Sequence, residues 1–393
     1  MVPNGWNKQT VGDLCDFING NGFKSSEWSD KGLPIIRIQN LNGSNNFNYY
    51  DGKVLEKWIV NQGDILFAWA GSKGVSFGAK YWNGPKGLLN QHIFRVEPKA
   101  HIDKKWLFWV LLKVTQRVEN MAHGFKATLL HVQKADITEQ VILVPSLSEQ
   151  QKIAQILSTW DQAISATEKL LENSQQQKKA LMQQLLTGKK RLLDEIGLRF
   201  NIPWEKYRLE TFLKEEKQRN KDNSLSRVLS VTNHSGFVLP ENQFSKRIAS
   251  DEVSNYKVVI KGQFGYNPSR INVGSFARLD QFDNGLLSPM YVVFSITSEK
   301  LDSDFFLYWM KSNEAKQRIN NSTQGSVRDS VGFDAISSFA LKLPKIQEQR
   351  KIAKVLSLAD QEIETLQKKL DYLKQEKKAL MQQLLTGKRR VKV

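Results

Sequence analysis

Pro145 to Arg191 reads PSLSEQQKIAQILSTWDQAISATEKLLENSQQQKKALMQQLLTGKKR, and Pro344 to Arg390 reads PKIQEQRKIAKVLSLADQEIETLQKKLDYLKQEKKALMQQLLTGKRR. Aligned without a gap at a shift of 199 positions, 27 of these 47 residues are identical, and KKALMQQLLTGK recurs letter for letter. In a chain of 393 residues this means two copies of one plan.

Each copy has the marks of one long helix. Pro145 and Pro344 end strand-like runs, and no Gly or Pro follows until Gly188 and Gly387, where a C-terminal glycine belongs. Between them a stripe recurs at alternating spacings of four and three. In the first copy it runs Ile153, Leu157, Trp160, Ile164, Thr167, Leu171, Ser174, Lys178, Leu181, Leu185; in the second it runs from Ile352 to Leu384 at the same offsets. A stripe held over more than four heptads is a coiled-coil seam. Roughly 40 residues at 1.5 Å each make a rod of about 60 Å. Pairing within the chain is favoured because each helix is weak alone and the linkage keeps its partner close. An antiparallel pair would place one globular domain at each end, a dumbbell with a pseudo-two-fold axis. If partner numbers sum near 538, the seam lysines Lys178 and Lys377 meet Asp360 and Asp161, two symmetric ion pairs that fix register.

Outward from the helices, the globular stretches match more loosely. Gly63-Asp64-Ile65-Leu66-Phe67 reads like Gly262-Gln263-Phe264-Gly265-Tyr266, and Leu88 to Val96 like Leu286 to Phe294. Lys105 to Trp109 reads like Asp304 to Tyr308. Short β-rich runs, each set followed by an aromatic-rich helix near 103–120 and near 302–319, predict one scaffold bearing two different loop surfaces. The expected fold is α+β: two globular domains separated by two long helices in an antiparallel intramolecular coiled coil. The divisions fall at 1–147, 148–191, 192–346 and 347–393.

Composition narrows the function. Hydrophobic residues at 40%, aromatics at 10% and charged residues at 25% describe an ordinary globular chain. Apolar runs such as Trp106 to Val114 are about half the roughly 20 residues of a membrane span, so no membrane association is expected. The start MVPNGWNKQT shows no signal-peptide pattern, and one cysteine, Cys15, allows no internal disulfide. A cytoplasmic location is expected. The net charge of +17 points to a polyanionic partner. Residues 145–191 and 344–393 carry +3 and +7 of it, partly in Gly188-Lys189-Lys190-Arg191 and Gly387-Lys388-Arg389-Arg390. These runs suit a helix C-terminus and also phosphate contact.

Catalytic patterns are missing. Gly71-Ser72-Lys73-Gly74 lacks the spacing of a phosphate-binding loop, and Asn267-Pro268-Ser269-Arg270 lacks the second proline of an amino-methyltransferase motif. The histidines His92, His101, His123, His131 and His234 show no metal-ligand spacing, and Cys15 has no base nearby in sequence.

The Pro145 … Glu149-Gln150-Gln151-Lys152-Ile153 opening, the closing Lys178 to Arg191, and the repetition of the whole unit behind two dissimilar domains resemble the specificity subunit of type I restriction-modification systems. The resemblance covers the entire chain. It implies two target-recognition domains, each reading half of a split site in double-stranded DNA, with the helices as a spacer that docks two modification subunits. It also implies that S-adenosylmethionine, and ATP with Mg in the full complex, belong to partner subunits, that motor-nuclease subunits can join, and that this chain binds no cofactor or metal and is not itself an enzyme. A non-specific nucleic-acid binder and a protein-binding scaffold are the other classes consistent with the bare residues.

Base readout needs Arg or Lys for guanine and Asn or Gln for adenine, presented on loops. In the first domain the candidates are Lys24, Arg37, Gln39, Asn40, Ser72, Lys73, Asn90, Gln91, His92, His123, Lys126 and Thr128. In the second they are Asn233, His234, Asn267, Ser269, Arg270, Arg278, Gln324, Ser326 and Arg328.

The helix length predicts half-site centres roughly one to one and a half DNA turns apart. Deleting one heptad from both helices should change that gap and leave each half-site intact, which mapping of methylated adenines reads directly; an unchanged gap refutes the spacer role.

Overall fold

The computed structural model describes residues 2–121, 129–240, 252–323 and 330–393. The chain forms two compact units, Met1–Glu168 with Lys369–Val393, and Lys169–Lys368. No helix among the described residues is long and apolar enough to cross a membrane.

In the first unit an antiparallel sheet runs Cys15–Asn19, Ile93–Pro98, Ile65–Ala68, Gly78–Tyr81. The helix Lys104–Met121 packs on it through Leu107, Val110, Leu111, Val114 and Val118, an i, i+3, i+4 stripe that is fully buried. A second sheet, Asn48–Tyr50, Leu33–Ile36, Gly87–Leu89, Ile59–Val60, carries one parallel pair at Ile35–Leu88 and Ile36–Leu89. Strand Asn7–Thr10 pairs with Val141–Val144, so the first and last strands of the domain are zipped together immediately before Pro145.

The second unit repeats the main sheet and the paired first and last strands, but in place of the second four-stranded sheet it has two two-stranded ones, Ser230–Thr232 with Gly236–Val238 and Lys257–Ile260 with Asn284–Leu287. Its main sheet runs Leu213–Glu216, Val292–Ile296, Phe264–Tyr266, Phe276–Arg278, and Glu205–Arg208 pairs with Ala340–Leu343. One element differs from expectation. The helix anticipated near 302–319 is broken into Ser303–Met310 and Asn313–Thr323. Ser312 stands where the first copy has Lys113, and its hydroxyl accepts the Ala315 N–H at 3.3 Å, starting a new helix.

The repeated segments are two helices of 39 residues each, a central one at Leu147–Leu185 and a distal one at Ile346–Leu384. Every position of both predicted stripes is buried or half-buried, while most residues between them are exposed. Gly188 and Gly387 take φ of +69° and +67°, and the Lys190 and Arg389 N–H groups reach back to the Gln184 and Gln383 carbonyls. A glycine has no Cβ to oppose that left-handed turn.

Within each unit the helix pair is antiparallel. In the first, Asp161 pairs with Lys377 and Glu168 with Lys374; in the second, Lys178 pairs with Asp360 and Ser174 donates to Glu362. The two lysine–aspartate pairs are joined to their domains. The Lys377 ammonium lies 4.3 Å from the Trp109 ring centroid, and Tyr308 donates its hydroxyl hydrogen to Asp360 at 2.8 Å.

The motif Glu-Gln at each helix start works in two directions. Gln150 accepts the Asp103 N–H at 2.8 Å and donates to the Pro145 carbonyl at 3.0 Å; Gln349 does the same for Asp302 and Pro344 at 2.8 and 2.9 Å. Asp103 and Asp302 in turn accept the Trp106 and Phe305 N–H groups, capping the domain helices. The neighbouring glutamates face the other repeat. Arg191 grips Glu348 at 2.6 and 2.7 Å, and Arg390 grips Glu149 at 2.7 and 3.0 Å. Each arginine also lies over a tryptophan, Trp204 and Trp6 respectively.

Arg191→Glu should destabilise the protein, because it sets a second carboxylate against one that is 1% exposed. Arg191→Glu with Glu348→Arg should recover much of the loss in urea unfolding; no recovery would mean the pair contributes only local packing.

Candidate nucleic-acid interface

Backbone pairing draws the candidate loops of the first domain together. Asn21 donates its N–H to Leu89 O at 2.9 Å, Asn90 to Ile36 O at 3.2 Å, and Trp69 to His92 O at 3.3 Å. Gly20 is needed for this approach, since a Cβ there would sit 2.0 Å from the Asn90 carbonyl oxygen. Strand Ala70–Ser72 pairs with Leu129–His131 and brings Ser72 and Lys73 to the same neighbourhood through Trp69. Thus the loop at 21–24, the turn after Ile36 and the run 90–92 are joined by backbone hydrogen bonds, and Trp69, three residues before Ser72, joins them at His92.

Side chains on this surface divide into free and engaged. Gln91 is exposed, with its Nε2 3.2 Å from His92 Nε2. The His92 ring lies 5.1 Å from Trp69, which also has His131 at 4.7 Å and Phe94 at 6.0 Å. Lys24 and Gln39 are exposed, and the Gln39 amide donates to Asn46 O at 3.2 Å. Arg37 bonds Asn48 at 2.9 Å and lies 5.2 Å from the Trp28 ring centroid. Asn40 corrects the sequence expectation. Its side chain is buried, donates to the Ser44 and Asn46 carbonyls at 3.0 and 2.9 Å, and accepts the Arg37 N–H at 2.9 Å. It builds the loop and has no amide edge left for a base.

In the second domain Asn233 and His234 are exposed at the tip of the hairpin Ser230–Thr232, Gly236–Val238. Asn267 accepts the Ser269 N–H at 3.0 Å, and Arg270 and Ser269 are exposed on the turn that follows. Ser275 ties turn to hairpin, donating to Val231 O at 2.8 Å. Arg278 is the second correction. Its guanidinium bonds Asp280 at 2.7 Å, Asp304 at 2.7 Å and Ser303 at 2.8 Å, so it fastens a strand to the start of the helix Ser303–Met310 instead of facing outward. His123, Lys126, Thr128, Gln324, Ser326 and Arg328 lie outside the described residues.

Sequence reading missed the Arg191–Glu348 and Arg390–Glu149 pairs, and assigned those arginines to helix ends or phosphates. The signal was present: their partner numbers also sum to within one of 538. Trp69 and His131 were missed as a cluster because only strand pairing brings them together. Cys15 is buried, donates weakly to Val11 O, and has its thiol pushed up to about 12 by burial and then by Asp16. Such a thiol is a poor nucleophile at neutral pH. Among the described residues no group of three or more His, Cys, Asp or Glu side chains could hold a metal ion.

A family model described as the type I restriction modification DNA specificity domain matches residues 3–174 and 254–375, well over half of the chain, and the chain belongs to that family. The specificity subunit of type I restriction enzyme MjaVIII from Methanocaldococcus jannaschii is 27% identical over 420 residues, spanning all of this chain and 94% of that one. The EcoDI specificity subunit of Escherichia coli is 23% identical over 398 residues, spanning 94% and 84%. The crystal structure of a type I restriction-modification system S subunit from M. genitalium shares the fold, with a TM-score of 0.58 at 16% identity over 97% of this chain and 96% of that one. The HsdS subunit from Thermoanaerobacter tengcongensis gives 0.51 at 14% identity over 98% of both chains.

Arg278→Ala should lower stability by about 2 kcal/mol, since it leaves two carboxylates and a helix start without their cation. Gln91→Ala, at an exposed loop position, should stay within about 0.5 kcal/mol of the parent. Thermal unfolding of the two variants makes the comparison.

Proposed function

We propose that the chain reads a bipartite, asymmetric DNA site and carries no catalytic group of its own. Residues 1–147 and 192–346 act as the two recognition domains. The helices in 148–191 and 347–393 act as a spacer and as the platform for two modification subunits, which supply adenine methylation with S-adenosylmethionine. Restriction subunits with ATP and Mg complete the nuclease form. The setting is the cytoplasm.

One observation carries this reading above all: two units share a sheet order, a capped helix and the same Gln, Lys–Asp and Arg–Glu ties, yet present different loops. Asn90-Gln91-His92 in the first copy corresponds in sequence to Ser288-Pro289-Met290 in the second. Identical ties suit identical partners, and unlike loops suit unlike half-sites. Family membership supports DNA as the ligand and assembly into a restriction-modification complex. The lysine–aspartate pairs Lys178–Asp360 and Lys377–Asp161 serve as register locks within this scheme.

Sequencing of methylated adenines in cells that express the chain with its modification subunit should return one split motif with a constant gap. Gln91→Ala should relax preference at one base of one half-site, a loss of about 1–3 kcal/mol of discrimination, and leave the other half-site unchanged. Protection without sequence preference against random competitor DNA would instead favour a general nucleic-acid binder.

A further inference from the structure

In the second unit the last turns of the central helix and the break after Met310 enclose a cleft of about 420 Å³. Five lysines line it: Lys178, Lys179, Lys189, Lys311 and Lys316. Lys178 is paired with Asp360, and the one carboxylate of the lining, Glu314, is bonded to Arg318 at 2.8 Å. Among the described residues the other four ammonium groups have no ion-pair partner. A second cleft, of about 590 Å³, shares Lys311 and Lys316 and is lined further on by Asn233, His234 and Asn272. The two clefts are therefore neighbours that meet at Lys311 and Lys316, and the second carries the exposed candidate base readers Asn233 and His234. Ser312 and Asn313, at the start of the helix Asn313–Thr323, add the positive end of a helix dipole to the lining.

Desolvation, and then the charge of Lys178, hold the Lys311 ammonium below its ordinary range, although Asp360 and Asp280 act on it in the opposite direction. A bound phosphate would relieve both effects. In the first unit Lys377, Lys378, Lys388 and Arg117 stand at the positions of Lys178, Lys179, Lys189 and Lys316, but the side chain between them differs. Lys113, at the position of Ser312, reaches the Leu385 carbonyl at 3.4 Å, and the space beside it is about 50 Å³. Burial, then Arg117 and Lys388, bring Lys113 down to about 8.

We propose that this lysine-lined cleft clamps the sugar-phosphate backbone of the DNA strand whose bases face Asn233 and His234. The proposal rests on the DNA-reading function and adds to it a sequence-independent anchor on the second recognition domain. Phosphate contacts position a protein on DNA, and base contacts specify the site.

The test uses the full chain with its modification subunits. Binding is measured to a duplex carrying the methylated motif and to a scrambled duplex, each across a range of salt. Lys311→Ala with Lys316→Ala, and Lys179→Ala with Lys189→Ala, should each weaken both duplexes by the same factor, roughly tenfold. Each should also reduce the slope of log affinity against log salt by about one to two. Arginine at the same positions should restore the slope, and unchanged melting temperatures exclude unfolding as the cause. A parent-like slope, or a loss confined to the motif duplex, overturns the clamp. If the parent complex does not distinguish the two duplexes, the site-reading function fails, and the slopes still decide for or against the clamp.

Discussion

A carboxylate that is 1–3% exposed must find a cation, and Glu149 and Glu348 find theirs only on the other repeat. Glu348 opens the distal helix and takes Arg191 from the end of the central one; Glu149 opens the central helix and takes Arg390 from the end of the distal one. Each unit therefore contains the start of one helix and the end of the other. Neither recognition domain can complete its buried charge balance with its own repeat. The Gln next to each Glu then holds the cap of the domain helix, so the same two-residue motif binds helix to helix and helix to domain.

This constraint explains how the two domains can diverge on their surfaces. The sheets share an order and the domain helices share a cap, because each unit packs against its own helix start and helix end, built from repeated sequence. Loops at the sheet edges are under no such demand, so Asn90-Gln91-His92 and Ser288-Pro289-Met290 can differ freely. The difference reaches the framework after Met310. Ser312 restarts a helix and leaves an open basic cleft, whereas Lys113 at the matching position fills its own space and bonds a helix carbonyl.

Candidate base readers chosen by residue type divide in an instructive way. Gln91, Asn233 and His234 are exposed on loops. Asn40 and Arg278 have the same donors and acceptors, but Asn40 satisfies three backbone groups and Arg278 two aspartates and a serine. An unpaired polar group is costly once buried, and which groups are buried depends on segments distant in the chain. Trp69 and His131 show the converse: two residues not singled out in sequence join the candidate His92 in one cluster through strand pairing.

The sequence by itself determined the duplication, the extents of the two helices, their antiparallel register and the α+β class. Helical periodicity is local, and a constant sum of partner numbers follows from two straight helices, so both can be counted along the chain. Tertiary structure alone decided which polar loop residues remain available, where the second domain helix breaks, and that Arg191 and Arg390 bind carboxylates. Those outcomes depend on what lies opposite each group after the sheets have paired, and a one-dimensional pattern carries no record of that neighbour.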